Sequence, residues 1–183
     1  MKTISVSILT ALTLFAPPQL QGQEQSEYLS LRLEMERAIR KGNAFLKTQQ
    51  EKEGFWAEKE TPALTSLVLA AMMRDPGLDY TKAHPPHIEQ GFDWLLKQQK
   101  DDGGIYVKGL ATYNTSSAIM ALLARGKEED EPTLLQAREF LINQQTDWGN
   151  KGTADNKYDG GIGYGGTYAH SDMSNTYLAI EAL

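Results

Sequence analysis

The chain has 183 residues, a formal charge of −6, 40% hydrophobic residues and no cysteine. The missing thiols exclude a disulfide-stapled domain and a lipoprotein signal. An acidic chain whose lysines and arginines gather into no stripe points away from nucleic acid.

Residues 1–22, MKTISVSILTALTLFAPPQLQG, run from Lys2 through an apolar stretch into a proline-containing polar segment. That order predicts a secretory signal peptide, too short in its apolar part for a comfortable bilayer anchor, with cleavage after Gly22. The expected location is therefore outside the cytoplasm, periplasmic or extracellular. About 160 residues remain, enough for one domain, held by its core alone. Residues 23–37 read as a lead segment, and residues 38–183 as three repeats covering about 38–73, 88–125 and 134–183.

The repeats show in three stretches: FLKTQQEKEGFW from Phe45, WLLKQQKDDGGIY from Trp94 and FLINQQTDWGNKG from Phe140. Their glutamine pairs, Gln49 and Gln50, Gln98 and Gln99, Gln144 and Gln145, recur at intervals of 49 and then 46 residues. A recurrence of that length is the signature of a helix-pair repeat. Before each pair, apolar residues at helical spacing predict an amphipathic helix: Ile39, Phe45 and Leu46 in the first copy, Ile88, Phe92 and Leu95 in the second, Leu134, Phe140 and Leu141 in the third. After a glycine-rich turn come TSLVLAAMM, TSSAIMALLA and TYLAIEAL, starting at Thr65, Thr115 and Thr176. Their small polar starts and apolar continuations predict buried helices capped by Thr, Ser or Asn, so the second helix of each pair is expected to be the inner one. Prolines and charges in DPGLDYTKAHPPH and GKEEDEP turn the chain back between repeats.

The run Lys41-Gly42, Phe45-Leu46, Gln49-Gln50, Gly54-Phe55-Trp56 resembles the glutamine-tryptophan repeat of squalene and oxidosqualene cyclases, shared in weaker form by protein prenyltransferase β subunits. The second copy ends on Tyr106 in place of Trp56, and the third displaces its glycine-aromatic element to Gly161-Ile162-Gly163-Tyr164. The fold this resemblance implies is all-α, a partial α/α toroid of three helix pairs with inner and outer rings. It also implies that Phe45, Trp94 and Phe140 occupy equivalent places. Each glutamine pair would clasp its outer helix to the inner partner by bonding orphan backbone groups at the helix ends, under an aromatic cover supplied by Trp56 in the first copy.

The third repeat carries extra chain: 16 residues separate Gln99 from Thr115 but 31 separate Gln145 from Thr176. The insertion, rich in Gly, Tyr and Asp, suits either a ligand loop or a surface excursion. It leads into Asp172-Met173-Ser174-Asn175-Thr176. In cyclases of the squalene-hopene kind the resemblance places the proton-donating aspartate where Ser174 stands, and in prenyltransferases it places a zinc-binding cysteine there. A serine hydroxyl supplies neither function. Asp172 matches both patterns and remains the catalytic candidate, with helix capping as its alternative role. His84 and His87 lack an evident third ligand for a metal, and Asp101-Asp102 before two glycines is turn chemistry. No metal or cofactor site is expected, and no phosphate loop, Ser-His-Asp spacing or zinc-protease motif is present.

The resulting expectation is a non-catalytic binding or scaffold module. An apolar or peptide-like ligand, or a partner protein, would enter a groove lined by Thr65, Thr115, Asn175, Thr176, Tyr164 and His170. The alternative is a terpenoid cyclase or prenyltransferase-type enzyme with its catalytic residues in a missing C-terminal half. The last inner helix has no cap residue after Leu183 and no following helix to cover it, so the chain is expected to be a fragment, or to associate with itself through an open toroid edge.

Overall fold

The computed structural model describes residues 18–79, 82–165 and 170–183, with side chains from Tyr28 onward. The first 17 residues of the expected export signal lie outside the described residues. Among the described residues the fold is all-α, with six helices: α1 (Pro18–Thr48), α2 (Pro62–Met73), α3 (Pro86–Leu96), α4 (Ala111–Arg125), α5 (Glu131–Ile142) and α6 (Met173–Ala182). The lead segment and the first amphipathic segment form one helix, α1, which also runs through the expected cleavage point after Gly22. No helix among the described residues is long and apolar enough to cross a membrane.

Helix starts and stops follow the local sequence. Proline opens α2 and α3, where its missing N–H costs nothing, and Gly126 at φ 67° ends α4. The second helices of the three pairs form one layer, in which α4 lies between α2 and α6. On this layer α3 packs against α2, and α5 against α4. The first helices α3 and α5 therefore each cover the second helix of the preceding pair. The core runs along that seam, through Leu69, Met73, Ile88, Phe92, Leu95, Ala118, Leu122 and Leu141.

Three turns repeat the same hydrogen bonds. The second glutamine of each pair forms a short antiparallel bridge: Gln50 with Trp56, Gln99 with Ile105, Gln145 with Ile162. The far residue of each bridge donates its backbone N–H to a threonine hydroxyl in the next helix, Trp56 to Thr65 at 3.0 Å, Ile105 to Thr115 at 2.9 Å and Ile162 to Thr176 at 2.9 Å. A buried amide needs an acceptor, and a threonine in the first helical turn reaches it. Ile105, not Tyr106, thus holds the place of Trp56, because the bridge register is set by backbone pairing and not by aromatic identity.

Two further expectations are corrected. The glutamine clasp joins one repeat to the next. Gln50 Nε2 donates to the Gly54 carbonyl at 2.9 Å and to the His87 carbonyl, in α3, at 2.8 Å. Gln99 Nε2 reaches Gly103 at 3.3 Å and Thr133, in α5, at 3.1 Å. The amide is aimed across the seam because the turn it sits in leans on the following first helix. For the same reason Phe45 is not equivalent to Trp94 and Phe140 in packing. Trp94 lies 5.3 Å from Phe55, and Phe140 lies 5.8 Å from Tyr106, each ring on the turn of the preceding repeat. Phe45 meets no such turn among the described residues and is 62% exposed.

Candidate functional site

Two of the threonines expected in a groove, Thr65 and Thr115, are placed in the interior, while Thr176 is half-buried and lines the groove described below. Thr65 and Thr115 are fully buried, and with Thr176 they serve the bridge amides. They sit inside the first helical turn and not at the cap, because prolines and loop residues ahead of them start the helices earlier than the small-residue pattern suggests. Tyr164 is half-buried and gives its carbonyl to the Thr112 N–H at 3.1 Å, holding the third turn against the start of α4. His170 is exposed.

Asp172 is the N-cap of α6. Its Oδ1 accepts the Asn175 N–H at 2.9 Å and the Ser174 hydroxyl at 2.8 Å, and its Oδ2 accepts the Asn175 side-chain amide at 2.7 Å. Slight burial pushes this carboxyl up, but the donors outweigh it and hold the group below its ordinary range. A general acid requires the opposite shift, toward the working pH. Ser174, standing where a proton donor or thiolate would be needed, donates its hydrogen to Asp172 and so reinforces the ionised form.

Beside this cap lies an open groove of about 530 Å3, lined by Tyr158, Asp172, Met173, Thr176, Tyr177 and Ile180 among others. Met173 is 90% exposed, Tyr177 64% and Ile180 65%. The inserted loop forms one wall. Asp159 braces that loop by accepting the N–H groups of Trp148, Asp155 and Asn156, and Trp148 packs edge-on to Tyr158 at 5.2 Å. The groove presents apolar surface with two carboxylates in its lining, Asp159 and Asp172, each held below its ordinary range by the hydrogen bonds it accepts. The exposed apolar side of α6 was legible in the sequence; the groove was not, because its other wall comes from the inserted loop, whose course no residue spacing reveals.

The other titratable cluster is a brace between helices. Arg125 on α4 contacts Asp130 at 2.9 Å and Glu89 on α3 at 2.6 Å, while Lys127 and His84 reach the same Glu89 at 3.0 and 2.8 Å. His84 is thereby committed to a carboxylate, and His87 offers its carbonyl to Gln50.

No family model and no solved structure matches the chain. A terpentedienyl-diphosphate synthase from Kitasatospora griseola is 36% identical over 67 residues, covering 34% of this chain and 13% of that protein. The similarity hints at a terpenoid-cyclase-like relationship for part of the chain, which spans about an eighth of the length of this curated relative.

Proposed function

We propose that the protein is an exported, non-catalytic repeat module of terpenoid-cyclase-like ancestry, built as part of an α/α toroid, whose third repeat binds an apolar segment. The observation that carries this reading is that both carboxylates of a largely apolar groove, Asp159 and Asp172, are each committed to three hydrogen-bond donors of the chain itself. Binding needs concave apolar surface with a few polar markers, which the groove has. Protonating an alkene needs a neutral acid, which a carboxylate accepting three hydrogen bonds is not. Export rests on the order of charged, apolar and polar segments in residues 1–22.

An enzyme of cyclase or prenyltransferase type is the second reading, favoured by the partial similarity to a diphosphate synthase. One experiment separates the two. Protein recovered from the exported fraction, with a mass corresponding to a chain beginning at Gln23, is incubated with squalene, or with a prenyl diphosphate and a peptide acceptor, and products are sought by mass spectrometry. No product is expected. Turnover that disappears in Asp172→Asn would establish the enzyme, and a chain retaining residues 1–22 inside the cell would remove export from the proposal.

A further inference from the structure

Taking the binding reading of the third repeat as its premise, we propose that the segment entering the groove is helix α1 of a second copy of this chain, so that copies join head to tail. The interface is already present twice within the chain. Where α3 covers the first repeat, Leu69 and Met72 of α2 are 0% and 2% exposed; where α5 covers the second, Ile119 and Leu122 of α4 are 2% and 0% exposed. Counted from the bridging threonines, the first of these places is held in α6 by Ile180, 65% exposed. The apolar identity is kept while the cover is absent among the described residues.

The turn tells the same story. Gly54 and Gly103, both at positive φ, lie so close to the next first helix that an added Cβ would fall 2.5 Å from the carbonyl oxygens of Gln90 and Gln136. Gly160 has the same backbone sign, and nothing lies within 4 Å of its Cβ place. The Gln50 and Gln99 amides reach α3 and α5; the Gln145 amide finds no partner among the described residues.

Helix α1 carries the complementary half. Its Gly42 occupies the position of Gly91 in α3, where an added Cβ would fall 2.9 Å from both Trp56 and Leu69 of the preceding repeat. Gly42 itself is exposed, with nothing within 4 Å. A glycine in a helix interior weakens the helix, and in an isolated copy this one receives no packing in return. Close approach of another repeat's turn supplies the reason. Phe45, exposed beside it, holds the place that Trp94 and Phe140 use against such a turn. A contact between two different surfaces is heterologous, and it closes into a ring or runs on as a chain.

The test is light scattering over a concentration series on the exported chain and on Gly42→Gln. The wild type should rise to multiples of the monomer mass. Gly42→Gln should remain monomeric while melting at the same or a higher temperature, since glutamine favours helix more than glycine. That opposite movement separates loss of the contact from loss of the fold. Mixing Ala38→Cys with Gln145→Cys chains, each with a single thiol, and adding a short bis-maleimide should link one of each kind. A wild type that stays monomeric at every concentration, association unaffected by Gly42→Gln, or links between like variants only would overturn the proposal. None of these outcomes bears on squalene turnover, so the non-catalytic reading stands or falls separately.

Discussion

Trp56 concentrates several of the chain's devices in one side chain. Its ring is 2% exposed, its indole N–H donates to the Leu46 carbonyl at 2.7 Å, and its backbone bridges Gln50 and donates to Thr65. The indole bond reaches a carbonyl in the last turn of α1 that also accepts the Gln49 N–H at 3.0 Å, so the ring fixes that helix to the first turn. Trp56→Ala removes both the packing and the bond, and should destabilise the domain by about 3 to 5 kcal/mol. Chemical denaturation measures it, and a loss below about 1 kcal/mol would place the ring's contribution at the level of a surface residue. Ile105 and Ile162 hold the same place without an indole N–H, so truncating either removes packing alone. The glutamine pairs were legible in the sequence because their identity recurs. Their partners were not, since His87 and Thr133 lie 37 and 34 residues further along and offer backbone carbonyls, which carry no sequence signal. The threonine hydroxyls were misread for a related reason: a small polar residue at a helix start looks alike whether it caps the helix or serves a neighbouring turn.

At the scale of elements, α3 and α4 are joined by charge as well as by apolar packing. Burial alone would push the Glu89 carboxyl up, but hydrogen bonds and charges from Arg125 and Lys127 override it and hold the group at about 2, against an ordinary 4.5. Because the folded value is depressed, the stabilisation from Glu89 is present in full above the unfolded value and is lost as pH falls through the folded one. The window is therefore about pH 4.5 down to about 2. Urea midpoints followed down through that window should drop more steeply for the wild type than for Glu89→Gln; equal slopes would show that the brace carries no proton-linked stability. Removing Glu89 also leaves Arg125, nearly fully buried, with one partner fewer, so the variant should start from a lower midpoint at neutral pH. Helix existence was legible from spacing throughout. Helix starts were not, because the prolines at 62, 86 and 132 open the helices earlier than the first apolar repeat position. The brace was illegible too, as Glu89 and Arg125 stand 36 residues apart and read as ordinary surface charge.

For the whole molecule, layer position decides where stability resides. Helix α4 is flanked by α2 and α6 and covered by α5, and from Ala111 to Leu122 nearly every residue is buried. Among its polar residues, Asn114 accepts the Ala63 N–H at 2.9 Å and so ties α4 to the start of α2. Helix α6 packs on α4 along one side and leaves Met173, Tyr177 and Ile180 in solvent, while α1 exposes Leu31, Leu33, Met35 and Phe45. Local opening is cheapest where few apolar contacts must be broken. Native-state hydrogen exchange on dilute protein should therefore grade outward, with α4 amides exchanging only through global unfolding, α2 and α3 close behind, and the first half of α1 with α6 opening early. Raising the concentration should slow exchange in α1 and α6 together, the two halves of the head-to-tail contact, and leave α4 unchanged. Uniform protection across all six helices would mean that the chain unfolds as one unit, with the exposed apolar faces of α1 and α6 no weaker than the buried centre.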